Sequence, residues 1–149
     1  MTEPLQRIHA TAVAIEGRAV LLRGQPGAGK SDLALRLIDA GAQLVTDDQS
    51  ELFRRDDALF VRPPRRISGL IEVRGVGILR IAALPEAPVV LIADLVAPDQ
   101  VERMPERRRE PVLGLSLPVI ALAPFEASAP AKLRLVVRAV AGSGLPIML

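Results

Sequence analysis

The sequence predicts an α/β fold in which a mixed β-sheet carries a phosphate-binding P-loop. The first observation is the pattern G-x-x-x-x-G-K-[ST] at residues 24–31, which is typical of loops that cradle a polyphosphate. The second is its context, because an apolar segment, 19–23, precedes the loop and an amphipathic one, 31–38, follows it. The third is that most segments after residue 48 resemble strands joined by turns. The sheet is therefore expected to be mixed and not all-parallel.

Composition indicates one domain with an aliphatic core. Half of the 149 residues are apolar, yet the chain has three Phe, no Tyr, no Trp and no Cys. The lack of cysteine excludes disulfides and Cys-ligated zinc. We find neither a signal-peptide pattern nor an apolar run long enough to span a bilayer. These features predict a cytoplasmic protein with no membrane role.

Arginine supplies nearly all of the positive charge. Lys30 and Lys132 are the only lysines, and the formal net charge is +2. Arginines cluster at 62–66 and 107–109, which suits a solvated surface or an edge that faces phosphate or an acidic partner. Nucleic-acid binding is not expected, because stacking aromatics are lacking and acidic residues are interspersed.

The residues of the P-loop have distinct roles in nucleotide binding. Its glycines let the backbone curve into a nest of N–H groups, and the following helix N-terminus attracts phosphate. Lys30 is expected to reach the β- and γ-phosphates and the Ser31 hydroxyl to bind Mg²⁺. The predicted nucleotide-binding residues are Gly24, Gln25, Pro26, Gly27, Ala28, Gly29, Lys30 and Ser31.

The other elements follow from periodicity and turn signals. Two antiparallel hairpins are predicted within 9–23 and 51–61. A helix after Ser31 is expected to end near Gly41, and a last helix to begin after Ser128. The remaining predicted strands are 42–46, 78–81, 89–93 and 117–122, and residues 97–111 are predicted to be a polar, mobile segment.

Asp47 and Asp48 are the strongest acidic candidates, since they end the strand 42–46 and ligands of α/β sheets bind beyond such ends. If this strand runs parallel to 19–23, both carboxylates lie near the γ-phosphate. Phosphoryl transfer needs a group that takes the proton of the acceptor hydroxyl, and often an acidic Mg²⁺ partner. The pair could supply both, or could be a turn pair like Asp56 and Asp57.

Three further residues carry weaker signals. Asp94 follows the apolar strand 89–93 as a Walker-B aspartate does, or simply terminates it. Glu72 stands in Glu-Val-Arg-Gly-Val-Gly at 72–77, which suits a loop lining a metal or phosphate. His9 is the only histidine, and a lone histidine is more often structural than functional.

The order of His9, the P-loop, Leu-Val-Thr-Asp-Asp at 44–48 and the segment 70–78 resembles the catalytic domain of bacterial HPr kinase/phosphorylase. The resemblance runs from about residue 9 to residue 122. It implies a P-loop kinase domain similar in architecture to ATP-dependent phosphoenolpyruvate carboxykinase. It further implies an ATP- and Mg²⁺-dependent serine kinase, a homo-oligomer, whose acceptor is an HPr-like phosphocarrier of the sugar phosphotransferase system.

The resemblance assigns roles to individual residues. Asp48 matches the aspartate that accepts the serine proton in the kinase direction and donates it in the reverse reaction with inorganic phosphate. Asp94 has no counterpart with a catalytic role. The implied catalytic residues are His9, Lys30, Asp48, its neighbour Asp47 and Arg103, and the implied metal ligands are Ser31 and Glu72.

The sequence departs from the long members of the family. It holds no counterpart of their N-terminal domain or helical tail, and 124–129 replaces a Gly- and Arg-containing loop linked to dephosphorylation. It is therefore similar to short proteobacterial forms, with 1–149 as a single kinase domain. Retention of the phosphorylase reaction stays open. The alternatives are a small-molecule kinase or NTPase, and a nucleotide-sensing module without catalysis.

Overall fold

A computed structural model describes residues 5–142 of the chain. The described residues form two α-helices and eleven β-strands, with two short 3-10 turns at Arg65–Ile67 and Pro98–Gln100. In chain order the elements are β1 Leu5–Ile8, β2 Ala10–Ile15, β3 Arg18–Arg23, α1 Lys30–Asp39, β4 Gln43–Thr46, β5 Ser50–Arg55, β6 Ala58–Arg62, β7 Leu70–Val73, β8 Gly77–Arg80, β9 Ala87–Leu95, β10 Arg108–Val112, β11 Leu115–Leu122 and α2 Ala129–Val140.

Nine of these strands form one mixed sheet, as the sequence predicts. The strand order is β1-β5-β6-β9-β3-β2-β4, with β11 joined to β9 and β10 joined to β11, while β7 and β8 pair separately. Strand β9 is parallel to both β3 and β11. Strand β2 is antiparallel to both β3 and β4, so β4 runs in the same direction as β3. The condition for placing Asp47 and Asp48 near the P-loop, that their strand runs parallel to 19–23, is therefore met.

This topology gathers five chain segments at one edge of the sheet. The carboxyl ends of β3, β4, β9 and β11 meet there because these strands share a direction. The amino end of β2 lies at the same edge because β2 runs the opposite way. Loops beyond such an edge are where α/β proteins bind ligands, and this edge carries the P-loop.

The core has two apolar layers, one on each face of the sheet. Along β3, Val20 and Leu22 pack on the side of the two helices, while Ala19 and Leu21 pack on the opposite face. This alternation follows from the two-residue side-chain period of a strand. Because both faces are covered, β2 and β3 are apolar almost throughout, and the P-loop starts from a rigid base.

Two of the three phenylalanines belong to the hairpin of β5 and β6. Phe53 and Phe60 stack with their ring centroids 5.7 Å apart. The guanidinium of Arg62 lies 4.7 Å from the centroid of Phe53, within the range of a cation–π contact. This hairpin, which the turn signal predicts, is confirmed, and its two aromatic rings pack against each other.

The prediction of a mobile polar segment at 97–111 is wrong in its last part. Residues 108–112 form β10, which pairs antiparallel with β11. The polar residues of this edge strand are stabilised by ion pairs that reach across the sheet, from Arg108 to Asp94 and from Glu110 to Arg23. Partners so distant in sequence leave no local signal, so the polar pattern by itself predicts a loop.

The helix boundaries agree with the sequence, with one difference in detail. Gly41 follows α1 with φ of 108°, the left-handed conformation expected of a residue that ends a helix. Ser128 occupies the N-cap position of α2, but its side chain makes no capping hydrogen bond. The inward face of α2 is apolar, with Leu133 and Val137 buried.

Candidate active site

The P-loop connects β3 to α1 and bends as its glycines predict. Gly27 and Gly29 have φ of 82° and 102°, a region that other residues enter at a cost. The N–H of Ala28 donates to the carbonyl of Gln25 at 2.9 Å, which closes the turn. The loop lies in a cavity of about 1310 Å³, a volume sufficient for a nucleotide.

Lys30, the first residue of α1, folds its side chain back against the loop. It is 8% exposed, and its ammonium donates to the carbonyls of Gly24 at 2.8 Å and Gln25 at 3.3 Å. The side chain also lines the cavity. A positive charge held against a nest of N–H groups suits the binding of polyphosphate.

Asp47 is the hub of a buried hydrogen-bond network. Its side chain accepts from the hydroxyl of Ser31 at 2.7 Å and from that of Thr11 at 3.2 Å. It also accepts from the backbone N–H of Glu72 at 3.0 Å. Asp47 is 8% exposed, so these three donors compensate the burial of its charge. The network joins the side chain of Ser31 to the backbone of Glu72, whose side chain is exposed.

Asp48 turns away from this network toward the cavity. Its φ of 65° is a left-handed conformation that aspartate tolerates better than most residues. Its backbone N–H donates to the hydroxyl of Thr11 at 3.0 Å, which fixes the turn. The residue is exposed and lines the same cavity as Lys30 and His9. The fold thus separates two adjacent aspartates into a buried one and one that faces the cavity.

His9 lies between β1 and β2, so the hairpin predicted within 9–23 begins one residue later, at Ala10. It is exposed and lines the cavity opposite the region of β9 and β11. Arg103 is exposed and lies between the 3-10 turn Pro98–Gln100 and β10. Among the described residues, the cavity lining includes His9 and Gln100 but not Arg103 or Glu72.

The interpretation of Asp94 as a strand-terminal Walker-B residue is not supported by its partners. It lies inside β9 and forms a bidentate ion pair with Arg23, at 2.7 and 3.1 Å. Arg23 also binds Glu110, at 2.6 and 2.9 Å. Hydrogen bonds to the two carboxylates raise the pKa of Arg23, and the hydrogen bond from Arg23 lowers the pKa of Glu110. Asp94 therefore stabilises the cavity wall, where this network lies.

Replacing Glu110 with Gln is expected to destabilise the protein by about 0.5–1 kcal/mol at neutral pH, as for a partly exposed ion pair. Because the folded-state pKa of Glu110 is lowered from 4.5, its stabilising effect is present above that value and is lost as the pH falls through the folded-state pKa. Urea denaturation of both proteins between pH 3 and pH 8 measures this. A difference in stability that grows on acidification would contradict the ion-pair explanation.

Sequence reasoning missed three residues of the site. Thr11 is fully buried on β2 and has the pattern of a core residue, so nothing local indicates its bonds to Asp47 and Asp48. Arg23 ends the P-loop strand, and its proximity to Glu110 depends on β9, β10 and β11. Phe125 lines the cavity although it is far from the P-loop in sequence. Only its exposure, which needs a structure, identifies it.

A glycine-rich loop between a buried strand and a helix, with Lys30 and Ser31 at the helix start, defines a P-loop protein of the nucleotide-using class. The family model described as HPr Serine kinase C-terminal domain matches residues 2–109. The chain belongs to this family, which confirms the resemblance and the predicted fold class.

Individual relatives agree with this assignment. The HPr kinase/phosphorylase of Clostridium beijerinckii is 41% identical over 81 residues, which cover 54% of this chain and 27% of that protein. The HPr kinase/phosphorylase of Limosilactobacillus reuteri is 34% identical over 95 residues, 63% of this chain and 30% of that protein. The chain thus matches less than a third of the length of either relative.

A solved structure extends the likeness over nearly the whole chain. The HPr(Ser) kinase/phosphatase from Coxiella burnetii is similar with a TM-score of 0.82 and 30% sequence identity, and the match covers 93% of this chain and 99% of that one. No helix within residues 5–142 combines the length and hydrophobicity needed to cross a membrane.

Proposed function

We propose that this chain is an ATP- and Mg²⁺-dependent kinase that phosphorylates a serine of an HPr-like phosphocarrier. The observation that carries the proposal is that Asp48 lines the same cavity as the P-loop lysine, Lys30. A free carboxylate beside a polyphosphate cradle is what a kinase needs and a nucleotide sensor does not. Membership of the HPr serine kinase family, and the names of the relatives, support the choice of acceptor.

The chain's residues divide the work of phosphoryl transfer. The P-loop N–H groups and Lys30 bind the β- and γ-phosphates and offset their charge. Asp48 accepts the serine proton as the serine oxygen attacks the γ-phosphorus, and ADP leaves with the bridging oxygen. His9 lines the cavity on the same side as Asp48 and is placed to orient the acceptor or its leaving proton.

The residues around Ser31 fit a magnesium ion. Magnesium prefers oxygen ligands and is usually held by one or two carboxylates together with water and phosphate. The Ser31 hydroxyl and the Glu72 carboxylate are proposed to hold it, with Asp47 orienting the hydroxyl. Residues 5–142 contain no cluster of three or more Asp, Glu, His or Cys residues that could hold a metal ion, but a magnesium site that shares its ion with a nucleotide does not require such a cluster. When bound, the ion neutralises charge on the transferred phosphate.

Glu72→Gln is expected to raise the Mg²⁺ concentration that gives half-maximal activity about tenfold or more, by analogy with other lost metal contacts. The amide keeps the size of the side chain and its backbone bond to Asp47 but loses the negative charge. Initial rates at varied Mg²⁺ and saturating ATP measure this. Glu86→Gln is the control, because Glu86 pairs with Arg55 on the surface; equal Mg²⁺ curves for wild type and Glu72→Gln would remove Glu72 from the metal site.

Transfer of label from [γ-³²P]ATP to a purified HPr-like carrier tests the proposed function. We expect labelled phosphoserine, and none with Lys30→Ala or with a carrier whose acceptor serine is alanine. ATP consumption without labelled carrier would favour a small-molecule kinase or NTPase. Tight ATP binding without turnover would favour a nucleotide-sensing module, and either result would refute the proposed acceptor.

The reverse reaction uses the same groups. Inorganic phosphate would attack the phosphoserine, pyrophosphate would form, and Asp48 would return the proton to the serine oxygen. Adding phosphate to labelled carrier and measuring labelled pyrophosphate tests this reverse reaction.

A cytoplasmic location and self-association belong to the same proposal. Light scattering of the purified protein tests the self-association.

A further inference from the structure

One aromatic side chain lies in solvent beside the P-loop. Phe125, in the loop between β11 and α2, is 69% exposed. The other two phenylalanines of the chain stack on each other in the hairpin of β5 and β6. Aromatic side chains are frequent in the lining of ligand pockets, and Phe125 lines the cavity of the P-loop.

The ring of Phe125 rests against the backbone of the P-loop. A Cβ atom placed on Gly29 would lie 2.8 Å from Cζ and 3.1 Å from Cε1 of the ring. These distances mean that the edge of the ring touches the loop, and that only glycine at position 29 leaves room for it. The ring therefore stands directly beside the place where the loop would hold phosphates.

The backbone on both sides of Phe125 is clamped to the P-loop helix. The guanidinium of Arg36, on α1, donates to the carbonyl of Pro124 and, at 3.3 Å, to the carbonyl of Glu126. Arg36 is itself held by Asp32 at 2.9 Å. A loop fixed at both flanks presents its side chain with little loss of conformational entropy when a ligand binds.

The cavity has a polar flank and a mainly apolar flank, with the P-loop between them. His9 and Asp48 lie on the side of β2 and β4. The side of β9 and β11 carries Leu95, Ala97 and Phe125, although Asp94, Gln100 and Glu126 also line it. If the γ-phosphate points toward Asp48, the remainder of the nucleotide extends over the apolar flank.

We propose that Phe125 is the stacking platform for the base of a purine nucleoside triphosphate. The inference rests on the proposed function, because it requires the phosphates to lie on the P-loop. The face of an aromatic ring binds any base by stacking. Phe125 has no hydrogen-bonding group, so it selects for stacking area and therefore for purines over pyrimidines.

Titration of ATP and of tripolyphosphate, both with Mg²⁺, into wild type and Phe125→Ala tests the platform by calorimetry. We expect the Kd for ATP to rise about 10- to 100-fold, the effect of losing one base–aromatic stack. The Kd for tripolyphosphate, which has no base, should not change. Leu135→Ala is the control, because Leu135 is 52% exposed on α2 and does not line the cavity.

The variant Phe125→Trp gives an independent readout by fluorescence, since the chain has no Trp or Tyr of its own. Its fluorescence should be quenched by ATP and not by tripolyphosphate.

Unchanged ATP affinity in Phe125→Ala would overturn the base site and leave the P-loop function intact. Equal losses for ATP and tripolyphosphate would mean that the ring only shapes the loop, which also overturns the inference. So would a raised KM for the carrier at unchanged ATP affinity, which would make Phe125 a docking contact. If wild type bound neither ligand, the proposed function itself would fail and this inference with it.

Discussion

Asp48→Asn is expected to lower kcat for transfer to the carrier serine by about 10²- to 10⁴-fold, the usual effect of losing a general base, while ATP binding changes little. The reason is positional. Asp48 faces the cavity, and its backbone N–H donates to the hydroxyl of Thr11, so an amide of the same size should keep the fold and the nucleotide site. Labelled transfer gives kcat, and equilibrium dialysis gives the Kd for ATP.

The control for this variant is Asp57→Asn, in the turn between β5 and β6, where the side chain is fully exposed. It should retain the activity of the wild type. Turnover by Asp48→Asn at a wild-type rate would refute the role of this residue as base. A parallel loss of ATP affinity would show instead that its charge acts on the nucleotide.

Asp47→Ala is expected to destabilise the protein by about 3 kcal/mol, because it leaves the hydroxyls of Ser31 and Thr11 and the N–H of Glu72 without their acceptor. For a chain of this size the midpoint of thermal unfolding should fall by about 6–12 °C. Activity should fall as well, since Ser31 loses the partner that orients its hydroxyl. Circular dichroism on heating measures the first effect and labelled transfer the second.

Two further variants sharpen this experiment. Asp47→Asn keeps one acceptor oxygen but turns an NH₂ group toward one of the donors, so its stability should lie between that of wild type and that of Asp47→Ala. Asp57→Ala removes an exposed aspartate and should have almost no effect. If Asp47→Ala unfolded at the wild-type temperature, the buried network would not stabilise the fold.

The pair Asp47 and Asp48 marks how far the sequence could be interpreted. Their position after a buried strand predicts that both lie near the P-loop only if β4 runs parallel to β3. The antiparallel pairing of β2 with both of these strands, which the structure shows, meets that condition. From the sequence, either aspartate could be the base or the partner of the metal, and the pattern does not say which residue has which role. Which aspartate is buried and which faces the cavity depends on the left-handed turn at Asp48 and on Thr11. Thr11 is 36 positions away from Asp47 in the sequence.

Asp94 and residues 108–112 show the opposite case. An acidic residue after an apolar strand fits a Walker-B pattern, and a polar run fits a loop. Both interpretations change once β10 is placed beside β11 and β11 beside β9, because Arg23 then lies between Asp94 and Glu110. These ion pairs join residues of three different strands, so the pattern along any one strand cannot predict them.

By itself, the sequence determined the P-loop, its flanking strand and helix, the two hairpins, the mixed sheet and the family. These features depend on short-range rules, namely glycine conformation, side-chain period and turn chemistry, which each act within a few residues. Only the tertiary structure decided which aspartate is buried and which faces the cavity, what Asp94 binds, and that Phe125 stands beside Gly29. Those outcomes depend on the order of strands in the sheet, which brings together distant residues such as Gly29 and Phe125, 96 positions apart.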